Sequence, residues 1–283
     1  MAFNRISRNA AIGFCEKLQF RSKGRKHWLI VAQDDEASSA VVAQLMTVAV
    51  EWNPRSVLAL PTGRTPVGSY RHLVAAHRRG ALDCSGIQAF NLDEFWGFPQ
   101  EHPSSYAAYL HRHLLSQVNV QPENVHLLDG GAANPMAACR QHEEQIREAG
   151  GIDLAFLGIG YNGHIAFNEP GSRFDSRTRV VDLSPATVFQ IGRSAIDTPS
   201  RALTMGIATI VDAQMVLLLA TGAAKAEIVA SALGGEVTPA VPASVLQRHP
   251  NLTVVLDQAA AAVLLEVLAA HHVTVERAEE SGR

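Results

Sequence analysis

Residues 152–170 read IDLAFLGIGYNGHIAFNEP. Ile152 to Leu157 is mainly apolar and has the length of a buried strand. Two glycines follow, Gly158 and Gly160, and then a polar cluster of Asn162, His164, Asn168 and Glu169. In an open parallel α/β sheet, ligands bind just outside the carboxyl ends of the strands. A histidine and a carboxylate five residues apart at such a place can act as a proton-transfer pair. Taken alone, the same stretch reads equally well as a Gly-rich turn with a solvated histidine.

The alternation around this stretch is that of a βαβ chain. Trp28–Ala32, Ser56–Leu60, Ile87–Leu92, Val125–Leu128, Ala202–Met205, Met215–Ala220 and Leu252–Leu256 are further strand candidates. Between them, Ala37–Glu51, a segment from about Val67, Ser104–Leu115, Ala137–Ala149, Gly222–Leu233 and Gln258–Ala270 carry helical patterns. Strands separated by helices predict an α/β fold: an open, mainly parallel sheet of modified nucleotide-binding (Rossmann-like) type, with helices on both faces. No repeat or linker splits the chain, so residues 28–275 are expected to be a single domain. Residues 1–27, rich in Arg and Lys, read as a solvated and only partly ordered extension. Residues 276–283 read as a polar tail.

Two more polar clusters each follow a strand candidate directly. Pro61-Thr62-Gly63-Arg64-Thr65-Pro66 leads into a helix. Glycine lets backbone N–H groups approach an anion, hydroxyls add donors, and the helix N-terminus adds partial positive charge. The plain alternative is a strand-to-helix turn. Asn91-Leu92-Asp93-Glu94-Phe95-Trp96 places two carboxylates together at a strand end, where leaving them buried and unpaired is costly. Here the plain alternative is a helix cap beside a surface acid. One anion loop, one strand-end carboxylate and one His–Glu pair together suggest proton-transfer chemistry on a phosphorylated small molecule. No metal is expected, because His164 and Glu169 do not form an HExxH pattern and no second histidine lies at ligand spacing. The absence of a GxSxG elbow argues against a Ser-His-Asp hydrolase.

Composition limits the remaining classes. The 283 residues are 47% hydrophobic and 18% charged, with net charge −3. That balance suits a globular protein and gives no sign of a nucleic-acid-binding surface. Cys15, Cys84 and Cys139 fit neither a zinc spacing nor a disulfide framework, which points to a reducing, cytoplasmic setting. The start lacks the apolar run of a signal peptide, and no stretch reads as a membrane span.

Several motifs in a fixed order are more specific than any one of them. LPTGRTP at 60–66, FNLDEFWG at 90–97, HPSSY at 102–106, GIGYNGHIAFNEPGS at 158–172, SRTR at 176–179, ALTMGIATIVDA at 202–213 and HPNLTVVLD at 249–257 together resemble the glucosamine-6-phosphate deaminases. Those enzymes convert glucosamine 6-phosphate and water to fructose 6-phosphate and ammonia. The resemblance implies Asp93 as the base that moves a proton between C2 and C1. It implies His164 as the residue that opens the pyranose ring, and Glu169 as the partner that orients its imidazole. Thr62, Gly63, Arg64 and Thr65 fall on the family's phosphate loop, and Arg193 and Lys225 on its two distant basic phosphate ligands. The resemblance also implies a mobile lid around 174–197, a sugar-phosphate substrate and no cofactor. The family includes monomers and hexamers, so a homo-oligomer is admitted.

The chain departs from the family pattern at two places. Asn162 stands where many members have Asp, and an amide cannot act as a base at ordinary pH. Some members are activated by N-acetylglucosamine 6-phosphate through a Ser pair and an Arg-x-Lys-Thr run. Here Ser172 precedes Arg173, and Arg179 precedes Val180, Val181 and Asp182, so that activation is expected to be absent. Three rival readings compete with this one. A 6-phosphogluconolactonase is disfavoured by Phe95, which replaces the Arg of that family's DER motif, and by Glu169, which has no counterpart in its motifs. A galactosamine-6-phosphate deaminase stays open, since no residue can be assigned to O4. A sugar-phosphate sensor has no need of Asp93, His164 and Glu169 together. In addition, about 27 residues ahead of the first strand candidate are few for a DNA-binding domain.

Overall fold

The structure, a computed structural model, describes residues 15–184, 187–188, 199–270 and 276–277. The main sheet is built from β1 (Cys15–Ser22), β2 (Arg25–Ala32), β3 (Val57–Leu60), β4 (Gln88–Asn91), β6 (Val125–His126), β7 (Leu154–Leu157), β10 (Met215–Ala220), β11 (Leu252–Asp257) and β12 (Glu276–Arg277). Their order across the sheet is β12-β1-β2-β11-β10-β7-β3-β4-β6. From β2 to β6 every neighbour is parallel. At one edge β1 runs the opposite way, pairing antiparallel with both β2 and β12. The expected open, mainly parallel sheet is therefore what forms.

The sheet is covered on both faces, so its central strands are apolar throughout rather than alternating. All four residues of β7 and all six of β10 are buried. Alternate side chains go to opposite faces. Ala155, Leu157, Val216 and Leu218 enter one core layer, together with Val229 and Leu233 of α6 (Ala226–Gly234) and Ala261 and Leu264 of α7 (Gln258–Ala270). Leu154, Phe156, Leu217 and Leu219 enter the other. There they meet Leu45 and Met46 of α1 (Asp35–Trp52), and Tyr70 and Leu73 of α2 (Val67–Arg78). Burying one such Leu, Val or Phe contributes about 1.5–3 kcal/mol. The helix starts follow the sequence: Asp34, Ser105 and Asn134 each cap a helix by accepting from the N–H three residues on. The latter two open α3 (Tyr106–His113) and α4 (Pro135–Glu148).

Two sequence expectations are corrected. Part of the N-terminal stretch read as solvated forms β1, which pairs along its whole length with β2 and buries Leu18 and Phe20. Ala202–Met205 does form a strand, β9 (Arg201–Thr204), but outside the main sheet. It lies between β5 (Asp93–Phe95) and β8 (Arg179–Asp182) in a separate antiparallel sheet of three strands. Neither β5 nor β8 carried a strand signal in the sequence. This small sheet packs over the carboxyl end of the main one. Phe95, Phe167 and Ala202 form a buried cluster there, with Tyr106 stacked on Phe167 at 5.8 Å. A short helix, α5 (Ile207–Val211), leads from β9 back into the main core.

Candidate active site

The loops that follow β3, β4, β7 and β10 converge at the carboxyl ends of the parallel strands. They enclose a cavity of about 610 Å3. Thr62, Gly63, Arg64, Thr65, Asp93, His164 and Lys225 all line it. Residues distant in sequence are thus brought to one place, as expected for an open α/β sheet. Arg193 lies outside the described residues, as does much of the predicted lid.

Asp93 opens β5, two residues beyond the end of β4. The chain turns there because Asn91, fully buried, donates from Nδ2 to the Asp93 carbonyl at 2.8 Å and accepts from Leu128 N–H through Oδ1. The Asp93 carboxyl is nearly buried, and its Oδ1 has no hydrogen-bond partner. Burial, with the neighbouring Glu94 adding to it, pushes its pKa well above the usual carboxylate range. Glu94 is neither a simple cap nor a surface acid. It is fully buried, and its carboxylate accepts from Phe95, Tyr106 and Ala107 N–H at 2.8 Å each, so it closes the N-terminus of α3 from the next strand. The two adjacent acids therefore have different work: Glu94 anchors, and Asp93 faces the cavity.

The segment after β7 folds back on itself. Gly160 N–H donates to the His164 carbonyl at 2.9 Å, and Gly163 N–H to the Gly160 carbonyl at 3.0 Å. Gly160 is required by space: a Cβ there would sit 2.2–2.4 Å from three atoms of the His164 ring. Gly160→Ala is therefore expected to push the imidazole out of place. Activity should fall at least tenfold, as expected for loss of a positioned acid–base group, while circular dichroism stays that of the folded protein. An Ala variant with wild-type turnover would show that the ring's position is unimportant.

The His164–Glu169 pair is present but not directly hydrogen-bonded. Nδ1 lies 3.8 Å from Glu169 Oε1 and has no hydrogen-bond partner. The Glu169 carboxylate is instead held by neutral donors. Asn162 Nδ2 donates to Oε2 at 2.7 Å, and the Thr187 hydroxyl donates to Oε1. Asn162 Oδ1 in turn accepts from His164 N–H at 3.2 Å. An Asp at position 162 would face Glu169 as a like charge or share a proton with it. With Asn there, Glu169 stands as a single carboxylate beside the imidazole. Burial lowers the His164 pKa; Glu169 opposes that shift and Lys225 adds to it. The ring is neutral at neutral pH, with one nitrogen able to donate and the other to accept.

The anion loop is held from below. Tyr70 and Tyr109 hydroxyls donate to the Pro61 and Gly63 carbonyls, each at 2.6 Å. Gly63 has φ +95°, a conformation that favours glycine, and α2 begins at Val67. Lys225 enters from the turn after β10, which is pinned by Gly222 N–H donating to Asp257 at 2.8 Å. Its ammonium donates to the Ile159 carbonyl at 2.7 Å. Burial, with Arg64 nearby, lowers its pKa to about 8. Lys225 thus lines one cavity with the loop that carries Arg64, and two cations beside a Gly-containing strand-to-helix loop suit a phosphate.

Thr187, Tyr106, Tyr109, Tyr161, Arg112 and His113 also line the cavity, and sequence reasoning assigned none of them a role. The HPSSY and GIGYNGHIAFNEPGS motifs contain Tyr106 and Tyr161, but nothing in the sequence singles out the others. Arg179 donates to Asn168 Oδ1 at 2.7 Å and to Ser172 at 3.2 Å, so it braces the segment after β7 from β8. Among the described residues, no three His, Cys, Asp or Glu side chains group as a metal site, and no helix is long and apolar enough to cross a membrane.

Comparisons with known proteins identify the family of the chain. Residues 33–255 match the family model described as glucosamine-6-phosphate isomerases/6-phosphogluconolactonase. The chain is 48% identical over 237 residues to a glucosamine-6-phosphate deaminase of Rhodopirellula baltica, covering 83% of this chain and 94% of that protein. It is 45% identical over 235 residues to glucosamine-6-phosphate deaminase 2 of Giardia intestinalis, covering 82% and 89%. A solved monomeric glucosamine-6-phosphate deaminase superposes with a TM-score of 0.81 at 37% identity, over 83% of this chain and 99% of that one. This chain belongs to the glucosamine-6-phosphate isomerase/6-phosphogluconolactonase family.

Proposed function

We propose that this chain is an isomerising deaminase that converts glucosamine 6-phosphate and water to fructose 6-phosphate and ammonia. The observation that carries the reading is the convergence of Asp93, the His164–Glu169 pair, the 62–65 loop and Lys225 on one cavity. The 39–48% identity to curated deaminases favours this reaction over lactone hydrolysis.

In this reading the 62–65 loop, Lys225 and Arg193 bind the phosphate, and that binding energy holds C1 and C2 beside Asp93. His164 passes a proton to the ring oxygen while the C1 hydroxyl gives one up to the imidazole, and the pyranose opens to the aldehyde. Asp93 takes the C2 proton, giving an enolamine, and returns it at C1. The resulting imine at C2 adds water and releases ammonia, leaving the ketone. These steps are proton transfers and a hydration, so they call for no redox cofactor. A buried carboxyl with a raised pKa must lose its proton before it acts as a base. The protonated amine of the substrate supplies the countercharge that favours this. Asn162 and Thr187 keep Glu169 fixed while the His164 charge changes. A cytoplasmic setting suits the three free cysteines, of which Cys84 and Cys139 are buried.

The test is ammonia release from glucosamine 6-phosphate, from its C4 epimer galactosamine 6-phosphate, and lactone opening of 6-phosphogluconolactone in parallel. Ammonia from the gluco substrate is the expected result. Turnover of the epimer alone would move the substrate and keep the chemistry. Turnover of the lactone alone would overturn the reading.

A further inference from the structure

Tyr161 is one of three large apolar or aromatic side chains that stand exposed among the described residues, at 44% of its full area. The other two, Trp52 and Met136, do not line the cavity, whereas Tyr161 does. Its ring lies against Lys225, with the ammonium 3.5 Å from the ring centroid. Lys225 forms no ion pair with Asp or Glu among the described residues. Its ammonium donates to the Ile159 carbonyl at 2.7 Å, and the charge that acts on it is the like charge of Arg64. An ammonium withdrawn from water beside a guanidinium is repelled toward solvent unless something holds it. A carbonyl dipole on one side and an aromatic face on another do so without neutralising it. A carboxylate in that place would hold the lysine equally well but would compete with an incoming phosphate.

We infer that Tyr161 is a positioning residue for the phosphate group of the substrate: its ring carries the Lys225 ammonium, still charged, facing the 62–65 loop. This inference rests on the reading of Lys225 as a phosphate ligand. Residue 161 lies in the loop that also carries Asn162 and His164, so the anchor for the phosphate and the ring-opening histidine are fixed by one backbone segment. The ring, not the hydroxyl, is the working part, because the interaction is with the π face.

The experiment compares wild type, Tyr161→Phe, Tyr161→Leu and Lys225→Met. It measures steady-state ammonia release, and calorimetric binding of inorganic phosphate as a probe that needs no turnover. In Tyr161→Leu, KM and the dissociation constant for phosphate are expected to rise together by about 3- to 30-fold, the range of a partly buried cation–π contact. Turnover at saturation should stay within about twofold. Tyr161→Phe should match wild type within about twofold, and thermal unfolding should change little in both, since the side chain is nearly half exposed. An unchanged KM and phosphate affinity in the Leu variant would overturn the inference. So would a fall in kcat at constant KM, or a Phe variant as impaired as Leu. If wild type releases no ammonia, the proposed reaction fails, yet phosphate binding still decides the role of Tyr161. If Lys225→Met binds phosphate as wild type does, Lys225 is no phosphate ligand and the inference falls with it.

Discussion

Asp93→Asn is expected to lower kcat for ammonia release by about 10²- to 10⁴-fold, the usual range for a positioned proton-transfer group, and at the same time to raise the melting temperature. Both effects have one cause. The Asp93 carboxyl is buried with an unpartnered oxygen, and burial together with Glu94 raises its pKa. The sign follows from linkage. The folded protein holds the Asp93 proton to higher pH than the unfolded chain, whose carboxyl ionises near pH 3.9. Unfolding therefore releases a proton above that pH, and Asp93 increasingly costs stability as pH rises toward its folded pKa. The Asn variant should thus gain more at pH 8 than at pH 5, with about 2–4 °C for each kcal/mol recovered in a chain of this size. Thermal unfolding of both proteins at the two pH values, with activity alongside, checks this. An inactive variant that melts lower at pH 8 would mean that Asp93 is a structural acid. A variant with full activity would remove it from the chemistry.

Lys225→Met is expected to raise KM for glucosamine 6-phosphate by about 10- to 150-fold, corresponding to loss of one hydrogen bond to a charged group worth about 1.5–3 kcal/mol. Its kcat should change much less, because the phosphate is remote from the reacting carbons. pH dependence gives a second signature. Burial, with Arg64 adding to it, sets the Lys225 pKa at about 8. As pH rises through that value the ammonium is lost and kcat/KM should fall. Lys225→Arg should move that limb upward and Lys225→Met should remove it. Stability runs the other way. In the unfolded chain the lysine stays protonated to about pH 10.4, so unfolding takes up a proton between the two values and the wild type should gain stability as pH rises from about 8. Opposite slopes of binding and stability in one pH window are hard to produce by general unfolding. A pH-independent KM across that window would remove Lys225 from the phosphate site.

Much of this protein was legible from the sequence because its sheet is parallel. Central strands buried on both faces must be apolar at every position, so β7 and β10 stand out as uninterrupted runs. Ligands gather where such strands end, so the polar residues after them are site candidates from sequence alone. Thr62 to Thr65, Asp93, His164 and Lys225 do meet in one cavity. What the sequence could not decide was set by contacts between distant segments. β5 is three residues long and exists because β9, more than a hundred residues later, pairs with it. Glu94 and Asp93 are adjacent and chemically alike. One anchors and the other faces the cavity because a strand points successive side chains to opposite sides, and the N-terminus of α3 lies on the Glu94 side. Asn162 reads in sequence as a lost acid, but the tertiary structure makes it the donor that holds Glu169. Tyr161 lies within the 158–172 motif but has no role that the motif implies, and its contact with Lys225 arises only when the loops after β7 and β10 are brought side by side. Periodicity and local order fix which residues lie near the strand ends. Only the packing of one loop against another fixes which atoms are left unpartnered, and those are the atoms available to a substrate.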